Sequence, residues 1–222
     1  MARKRDYIEE ILNRKGRHLV RAPREEQFRR RVYPLVEGFR VILALDSGVS
    51  YKNEWLKYGA IGYIACIEGY FRMLFSDLIN AGQPYSTRVG LFKDIKINME
   101  DVVAIHSDKI TLGEYVSHLL PMNGIADING NMTTLIGEDY FHLFKTFSVN
   151  MYNPDDQRKV GDVFPEILGD VETLFQLRHL YCHELATKVK TPTRKMTKLI
   201  CSAAQLVTYT EEIAERLFFN KA

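Results

Sequence analysis

The stretch that most constrains the fold is 51–80, where apolar side chains occupy most faces of a long helix. Such a helix cannot lie at a protein surface, because other elements must cover it on several sides. Three glycines, Gly59, Gly62 and Gly69, lower its helix propensity. The usual compensation is close approach by a neighbouring helix. The stretch therefore predicts the centre of a helical bundle.

Weaker helical periodicity predicts the other elements, and the fold class is all-α, a single domain built on a bundle of four to five main helices. The further main helices are expected at 24–45, 163–187 and 194–219, with a shorter one at 5–15. We expect Pro34 to kink the helix at 24–45 or to divide it in two. Residues 81–150 are predicted to form an irregular insertion, with short helices at 111–120 and 137–147, turns at Asn123-Gly124 and Asn129-Gly130, and a short strand or extended loop within 91–98.

Composition excludes several classes of protein. The chain has 222 residues, of which 26% are charged and 46% hydrophobic, so an intrinsically disordered chain is excluded. Its three cysteines form no CxxC pair, which argues against a disulfide framework and a cysteine zinc site. No stretch approaches the roughly 18 consecutive apolar residues that a membrane helix needs. We expect a reduced, cytoplasmic protein without a secretory signal, a membrane partner, a metal or a cofactor.

The net charge of +2 hides an asymmetry along the chain. Residues 1–31 hold eleven Lys and Arg against five Asp and Glu, whereas the remainder has four more acidic than basic residues. A basic, helical N-terminal arm, placed at 1–48, points to a polyanion such as RNA, with Arg29, Arg30 and Arg31 as candidate contacts. A solvated helix face with internal Arg–Glu ion pairs explains the same pattern, and the sequence leaves both interpretations open.

The end of the helix at 163–187 combines residue types that carry chemistry. At 100° per residue one face is polar, and Arg178 emerges at the border of the apolar face, where a charge needs a partner or a ligand. Arg178 and His183 diverge by roughly 140° on an ideal helix, so they would meet only if a second copy of the helix packed against the first. The polar face comprises Glu172, Gln176, His179 and His183.

The pattern Arg178-His179-x-x-x-His183, on an apolar helix followed by a breaker and a closing helix, resembles the motif of the HEPN superfamily. These are the "higher eukaryotes and prokaryotes nucleotide-binding" helical domains. The resemblance covers 51–80, which looks like the family's earlier core helix, and 160–219, which contains the motif helix and the closing helix. It implies a homodimer in which two motif helices face each other.

The resemblance also implies a function. Many members are metal-independent endoribonucleases, and several are toxins or phage-defence effectors that cut RNA; an antitoxin or regulatory partner is then a further expectation. Arg178 would hold the scissile phosphate, and His183 would act as general base or general acid. His179 would orient either group, and Glu68 would anchor Arg178 or His183. Glu184 stands where active members often have Asn, and it would raise the pKa of His183 or repel phosphate. The alternative is a non-catalytic module that binds RNA or nucleotide or scaffolds a partner.

Other interpretations need no enzyme. A histidine near a helix end often caps carbonyl groups, so Arg178 and His183 also fit a structural role. His179 and His183 are spaced like a zinc pair, although no third ligand stands at a familiar spacing. Glu68 and Arg72 are spaced for an ion pair within their helix. The remaining expectations are that Cys182 is a buried small hydrophobe and that Tyr58, Tyr63, Tyr70 and Phe71 belong to the core rather than to a base-stacking surface.

Overall fold

A computed structural model describes residues 6–15, 24–44, 49–93, 95–149, 158–183 and 191–219. Helices dominate these residues, which confirms the all-α class; their only sheet is an antiparallel pair of two-residue strands, β1 (Ser148–Val149) and β2 (Arg158–Lys159). Within the described part of the chain, no helix is both long enough and apolar enough to cross a membrane. The helices are α1 (Tyr7–Lys15), α2 (Arg24–Ala44), α3 (Val49–Asn80), α4 (Tyr85–Arg88), α5 (Met99–His106), α6 (Leu112–Leu119), α7 (Ile125–Ile136), α8 (Tyr140–Thr146), α9 (Val160–Val163), α10 (Ile167–His183) and α11 (Thr193–Phe219).

Helix α3 lies at the centre of the bundle, packed by α2, α6, α10 and α11. Most of its apolar side chains from residue 63 onward are buried, and the large ones include Tyr63, Ile64, Ile67, Tyr70, Phe71, Leu74 and Phe75. Burying a side chain of this size stabilises the fold by about 1.5 to 3 kcal/mol relative to leaving it exposed. The predicted central position of this helix is confirmed.

Two of the three glycines of α3 admit the neighbouring helix α2, as predicted. A Cβ atom on Gly59 would lie 1.4 Å from the Phe39 ring, and one on Gly62 would lie 3.2 Å from the methyl groups of Leu35. A Cβ atom on Gly69 would meet nothing within 4 Å. The first half of α3 is therefore fitted closely to α2, whereas the surface at Gly69 is open.

Helix α2 is one helix from Arg24 to Ala44 with Pro34 inside it, so of the two expected effects of Pro34, a kink or a division, the division is wrong. A charge cluster ties its first residue to the bundle. Arg24 donates to Asp77 of α3 (2.5 Å) and to Glu211 of α11 (2.8 Å), and the buried Tyr70 hydroxyl donates to the same Glu211 carboxylate (2.6 Å). The cluster fixes α2 against α3 and α11, because the cation is largely buried and needs both carboxylates.

The prediction that residues 81–150 form an irregular insertion is also wrong. These residues form helices α4 to α8. The Asn129-Gly130 pair lies inside α7 rather than in a turn. Residues 95–98 form a loop, which was one of the two predicted alternatives, and not a strand. The predicted helices at 111–120 and 137–147 correspond to α6 and α8, and Gly124 is the residue that precedes α7.

These middle helices begin at local capping signals and share the core of the bundle. Asn98 and Asp101 form a capping box at the start of α5, and Thr111 and Glu114 form another at the start of α6. Each box satisfies amide groups that would otherwise lack a partner, which stabilises a short helix. Side chains of α7 and α8 pack in the same buried cluster as α3, α10 and α11, namely Ile128, Met132, Leu135, Tyr140 and Phe144.

Candidate functional site

Arg178 of α10 pairs with Glu68 of α3. Its Nη2 atom lies 3.6 Å from Glu68 Oε1, and the two side chains are 30% and 22% exposed. The partner expected for a charge at the border of the apolar face is therefore a carboxylate on the central helix. Burial raises the pKa of the Glu68 carboxyl group, and the positive charges of Arg178 and Arg72 only partly oppose that rise.

Arg72, one turn further along α3, holds the end of another helix. Its Nη1 atom donates to the carbonyl oxygens of Ser117 (2.5 Å), His118 (3.1 Å) and Leu120 (3.3 Å). Carbonyl groups at the end of a helix lack partners within it and carry partial negative charge, so a guanidinium caps them well. Glu68 therefore lies between one arginine that binds α6 and another that emerges from α10.

The two histidines of α10 lie at its exposed end. The ring centroids of His179 and His183 are 4.8 Å apart with an interplanar angle of 46°, and both residues are exposed. The polar face continues one turn earlier, where the Gln176 amide donates to Glu172 (3.2 Å). The residues that the structure describes contain no cluster of three potential metal ligands, so the zinc interpretation of the histidine pair gains no third ligand there.

Arg178 and His183 face different surroundings within one chain. Arg178 turns toward α3 and Glu68, whereas His183 is exposed as the last residue of α10. Glu184 lies outside the described residues. Cys182 is exposed, so its expected burial is wrong: it stands at an edge of α10 that none of the described helices covers.

The basic candidates of α2 are exposed, and two of them make ion pairs within the helix. Arg29 pairs with Glu25 (2.5 Å) and Arg30 with Glu26 (2.8 Å), each one turn apart. For Arg29 and Arg30 the structure therefore agrees with the second interpretation, a solvated helix face whose arginines pair with glutamates of the same helix. Arg31 is exposed near the Cys66 thiol, whose pKa is raised by burial while the arginine charge opposes the rise.

A second contact between α3 and α10 was not predicted from the sequence. The Lys57 ammonium group lies over the Tyr181 ring, 5.9 Å from its centroid, and pairs with Glu54 (2.6 Å). The Tyr181 hydroxyl group shares a hydrogen bond with Thr191 (2.5 Å), at the start of the segment leading into α11. In the sequence, the i, i+3 spacing of Glu54 and Lys57 on a mostly apolar helix was the pattern that could have indicated this contact. Lys57, Glu68 and Arg72 give α3 a charged edge.

The expected burial of four aromatic residues is correct for three of them. Tyr63, Tyr70 and Phe71 are in the core, whereas Tyr58 is exposed. Tyr58 lies in the first half of α3, on a face that no other described helix covers.

Comparison with known proteins finds no match for this chain among family models, curated proteins or solved structures. The likeness of 51–80 and 160–219 to HEPN domains therefore stays a prediction.

Proposed function

We propose that the chain is a metal-independent endoribonuclease of HEPN type that acts as a homodimer, in the role of a toxin or phage-defence effector. The observation that carries this proposal is the Glu68–Arg178 pair beside an exposed pair of histidines. Phosphate-ester cleavage without a metal needs an oriented cation for the phosphate and imidazole groups that exchange protons near neutral pH. Arg178, His179 and His183 supply both within two turns of one helix. A cytoplasmic location belongs to the same proposal.

The proposed reaction uses the ribose 2′-hydroxyl group as its own nucleophile. His183 of one subunit removes the proton of that hydroxyl group, and the 2′-oxygen attacks the adjacent phosphorus. Arg178 stabilises the extra negative charge on the pentacoordinate phosphate. The partner subunit's His183 donates a proton to the departing 5′-oxygen. The products are a 2′,3′-cyclic phosphate and a 5′-hydroxyl end.

Other residues of the site act through these groups. Glu68 fixes the direction of the Arg178 guanidinium, which would otherwise sample many rotamers. His179 contacts the phosphate or orients His183. Glu184 follows His183 in the chain, and its carboxylate would either attract the protonated imidazole or repel phosphate.

The test is RNA cleavage by the purified protein in EDTA. His183→Ala and Arg178→Ala should each lose activity, by roughly 100- to 10,000-fold for the loss of an acid–base group. His142→Ala and Arg40→Ala remove the same residue types from exposed positions on α8 and α2 and should cleave like the parent. The parent products should carry 2′,3′-cyclic ends. Equal cleavage by all five proteins would reject the site.

A non-catalytic module is the competing proposal, and one observation favours it. Glu68 already compensates part of the Arg178 charge, so an incoming phosphate must compete with a carboxylate. A module of this kind would bind RNA or nucleotide, or scaffold a partner, without cutting. Absence of cleavage on several RNAs would favour the non-catalytic module. A stable monomer in solution would count against a catalytic site composed of residues from two subunits.

The proposed activity also has a consequence in cells. Expression of an active ribonuclease should slow growth, and Arg178→Ala or His183→Ala should relieve the effect at equal protein levels. An antitoxin or other regulatory partner would be sought as a protein that restores growth beside the parent. Normal growth at high levels of intact parent protein would contradict the toxin role.

A further inference from the structure

Three aromatic residues form an exposed face on the first half of α3. Tyr51, Trp55 and Tyr58 follow one another at i, i+4 and i+7, and they are 71%, 53% and 64% exposed. The Trp55 and Tyr58 rings meet edge to face, with centroids 6.2 Å apart and an interplanar angle of 66°. We call these three residues the aromatic face. The second half of the same helix buries its aromatic rings, so the exposure is confined to one end of α3.

The kind of side chain indicates the kind of ligand. Contiguous exposed apolar surface on a soluble protein marks an interaction site. Tyrosine and tryptophan combine a flat π-surface with a polar atom, and every nucleobase has a π-surface that can stack on such a ring. An edge-to-face pair leaves ring faces open to a third ring. Leucine, isoleucine and methionine, which suit a buried helix–helix contact, are absent from these three positions.

The location of the aromatic face connects it to the phosphate-binding candidate. Tyr58 and Glu68 lie ten residues apart on α3, which corresponds to a rise of about 15 Å. At a rise of about 3.4 Å per nucleotide this is a span of about four nucleotides, and fewer if the strand is extended. Glu68 holds Arg178, so a strand whose phosphate contacts Arg178 would carry nearby bases along α3 to the aromatic face.

The nearest cation in sequence adds little to this path. Lys57 adjoins Tyr58 in the chain, but it is buried, pairs with Glu54 and lies over the Tyr181 ring of α10. The aromatic face therefore offers a strand its ring surfaces, and the backbone charge is recognised at Arg178.

We propose that the aromatic face stacks the unpaired bases of single-stranded RNA and so selects single-stranded over double-stranded substrate. The proposal rests on the proposed function, because it places the RNA phosphate at Arg178. In a duplex the faces of internal bases are covered by their neighbours, so they cannot reach Trp55 or Tyr58.

The chain provides its own probe, because Trp55 is its single tryptophan. The full-length parent is titrated with a short single-stranded oligonucleotide carrying 2′-O-methyl groups, which removes the nucleophile and prevents cleavage. Stacking should quench Trp55 emission in a saturable manner. The same sequence as a duplex, and inorganic polyphosphate as a chain of charge without bases, should leave the emission nearly unchanged.

Variants test the stacking directly, with affinity measured by anisotropy of the labelled oligonucleotide. Tyr58→Ala should weaken binding about tenfold, within the range for one lost base stack. Tyr58→Phe keeps the ring and should bind nearly as the parent does. Tyr33→Ala removes a similarly exposed tyrosine (67%) from α2 and should have no effect. Circular dichroism confirms that each variant is folded.

The outcomes separate this proposal from the ribonuclease proposal. Quenching by single strands in a protein that cuts no RNA would support stacking and reject catalysis. Cleavage by the parent, with binding unaffected by Tyr58→Ala, would reject stacking alone. A shift of Trp55 emission that depends on protein concentration without RNA, and that Tyr58→Ala removes, would show that a second copy covers the aromatic face and would overturn the proposal.

Discussion

Replacing Glu68 by Gln tests whether the Glu68 carboxylate contributes to RNA cleavage or to the stability of the fold. At 3.6 Å from Arg178 the attraction is about 5 kcal/mol if the effective dielectric constant is about 20. Burial nevertheless raises the pKa of Glu68, so the cost of removing the carboxylate from water exceeds the attraction from Arg178 and Arg72 together. Glutamine keeps an acceptor for Arg178 and has no charge to desolvate.

We therefore expect Glu68→Gln to leave the free energy of unfolding at pH 7 unchanged or to raise it by about 1 kcal/mol. In a chain of this size that gain corresponds to about 2 to 4 °C in Tm. RNA cleavage should fall by about 100-fold, because the guanidinium loses its fixed direction. Urea unfolding measures the free energy of unfolding, and single-turnover cleavage in EDTA measures the rate of RNA cleavage.

The pH dependence supplies an independent check with a definite sign. A carboxyl group whose pKa is raised by folding binds protons more tightly in the native state, so its contribution to stability is lost as pH rises through the folded pKa. The stability of the parent relative to Glu68→Gln should therefore increase as pH falls from 7 into the range just above the ordinary Glu pKa of 4.5. Glu215→Gln, at an exposed position of α11, is the control for removal of one carboxylate. The reasoning fails if Glu68→Gln loses more than about 1 kcal/mol at pH 7, because breaking a buried pair kept for stability costs about 3 to 5 kcal/mol.

Two further predictions concern the frame that carries the site. Glu211→Met should lower the free energy of unfolding by about 3 to 5 kcal/mol, because Arg24 loses one of its two carboxylates and the buried Tyr70 hydroxyl group loses its acceptor. The double variant Arg24→Met/Glu211→Met should regain only part of this loss in urea unfolding, because it removes the buried cation but leaves the Tyr70 hydroxyl group without an acceptor. Gly59→Ala should destabilise by about 1 to 3 kcal/mol, because its Cβ atom would overlap an aromatic ring of α2. Gly69→Ala meets open space and should stabilise by up to about 1 kcal/mol, measured as a rise in Tm. Equal changes in Tm for Gly59→Ala and Gly69→Ala would contradict the close contact between Gly59 and the Phe39 ring.

The long helices were predictable because their patterns extend over many turns. α3 and α11 begin and end within two residues of the expected bounds, and the glycines of α3 correctly indicated the approach of α2. The middle helices span only four to twelve residues, too few turns for periodicity to outweigh a turn signal such as Asn129-Gly130. The spacing Asn98-x-x-Asp101 was the unused signal there, since it is a capping box.

The site was less predictable, because it depends on which helix covers which face. On a helix that is apolar all round, the sequence does not tell the buried face from the open one. Tyr58 was therefore expected in the core and lies outside it. Cys182 was expected to be buried because it lies beside the apolar stripe of α10, and it is exposed. The pairing of Glu68 with Arg178 joins residues that are 110 positions apart, and it was anticipated only through the family resemblance.

The central position of α3 has a consequence for the synthesis of the chain. Its apolar surface is complete at Asn80, but α10 and α11, which cover two of its sides, end at His183 and Phe219. At about 5 to 20 residues per second, the 139 residues from Asn80 to Phe219 take about 7 to 28 s to translate. During that interval the helix must be shielded by the ribosome, by chaperones or by the shorter middle helices. The site on α10 is assembled only after residues 178 to 183 have been made, so a nascent chain stopped before residue 178 carries the aromatic face without Arg178 or either histidine.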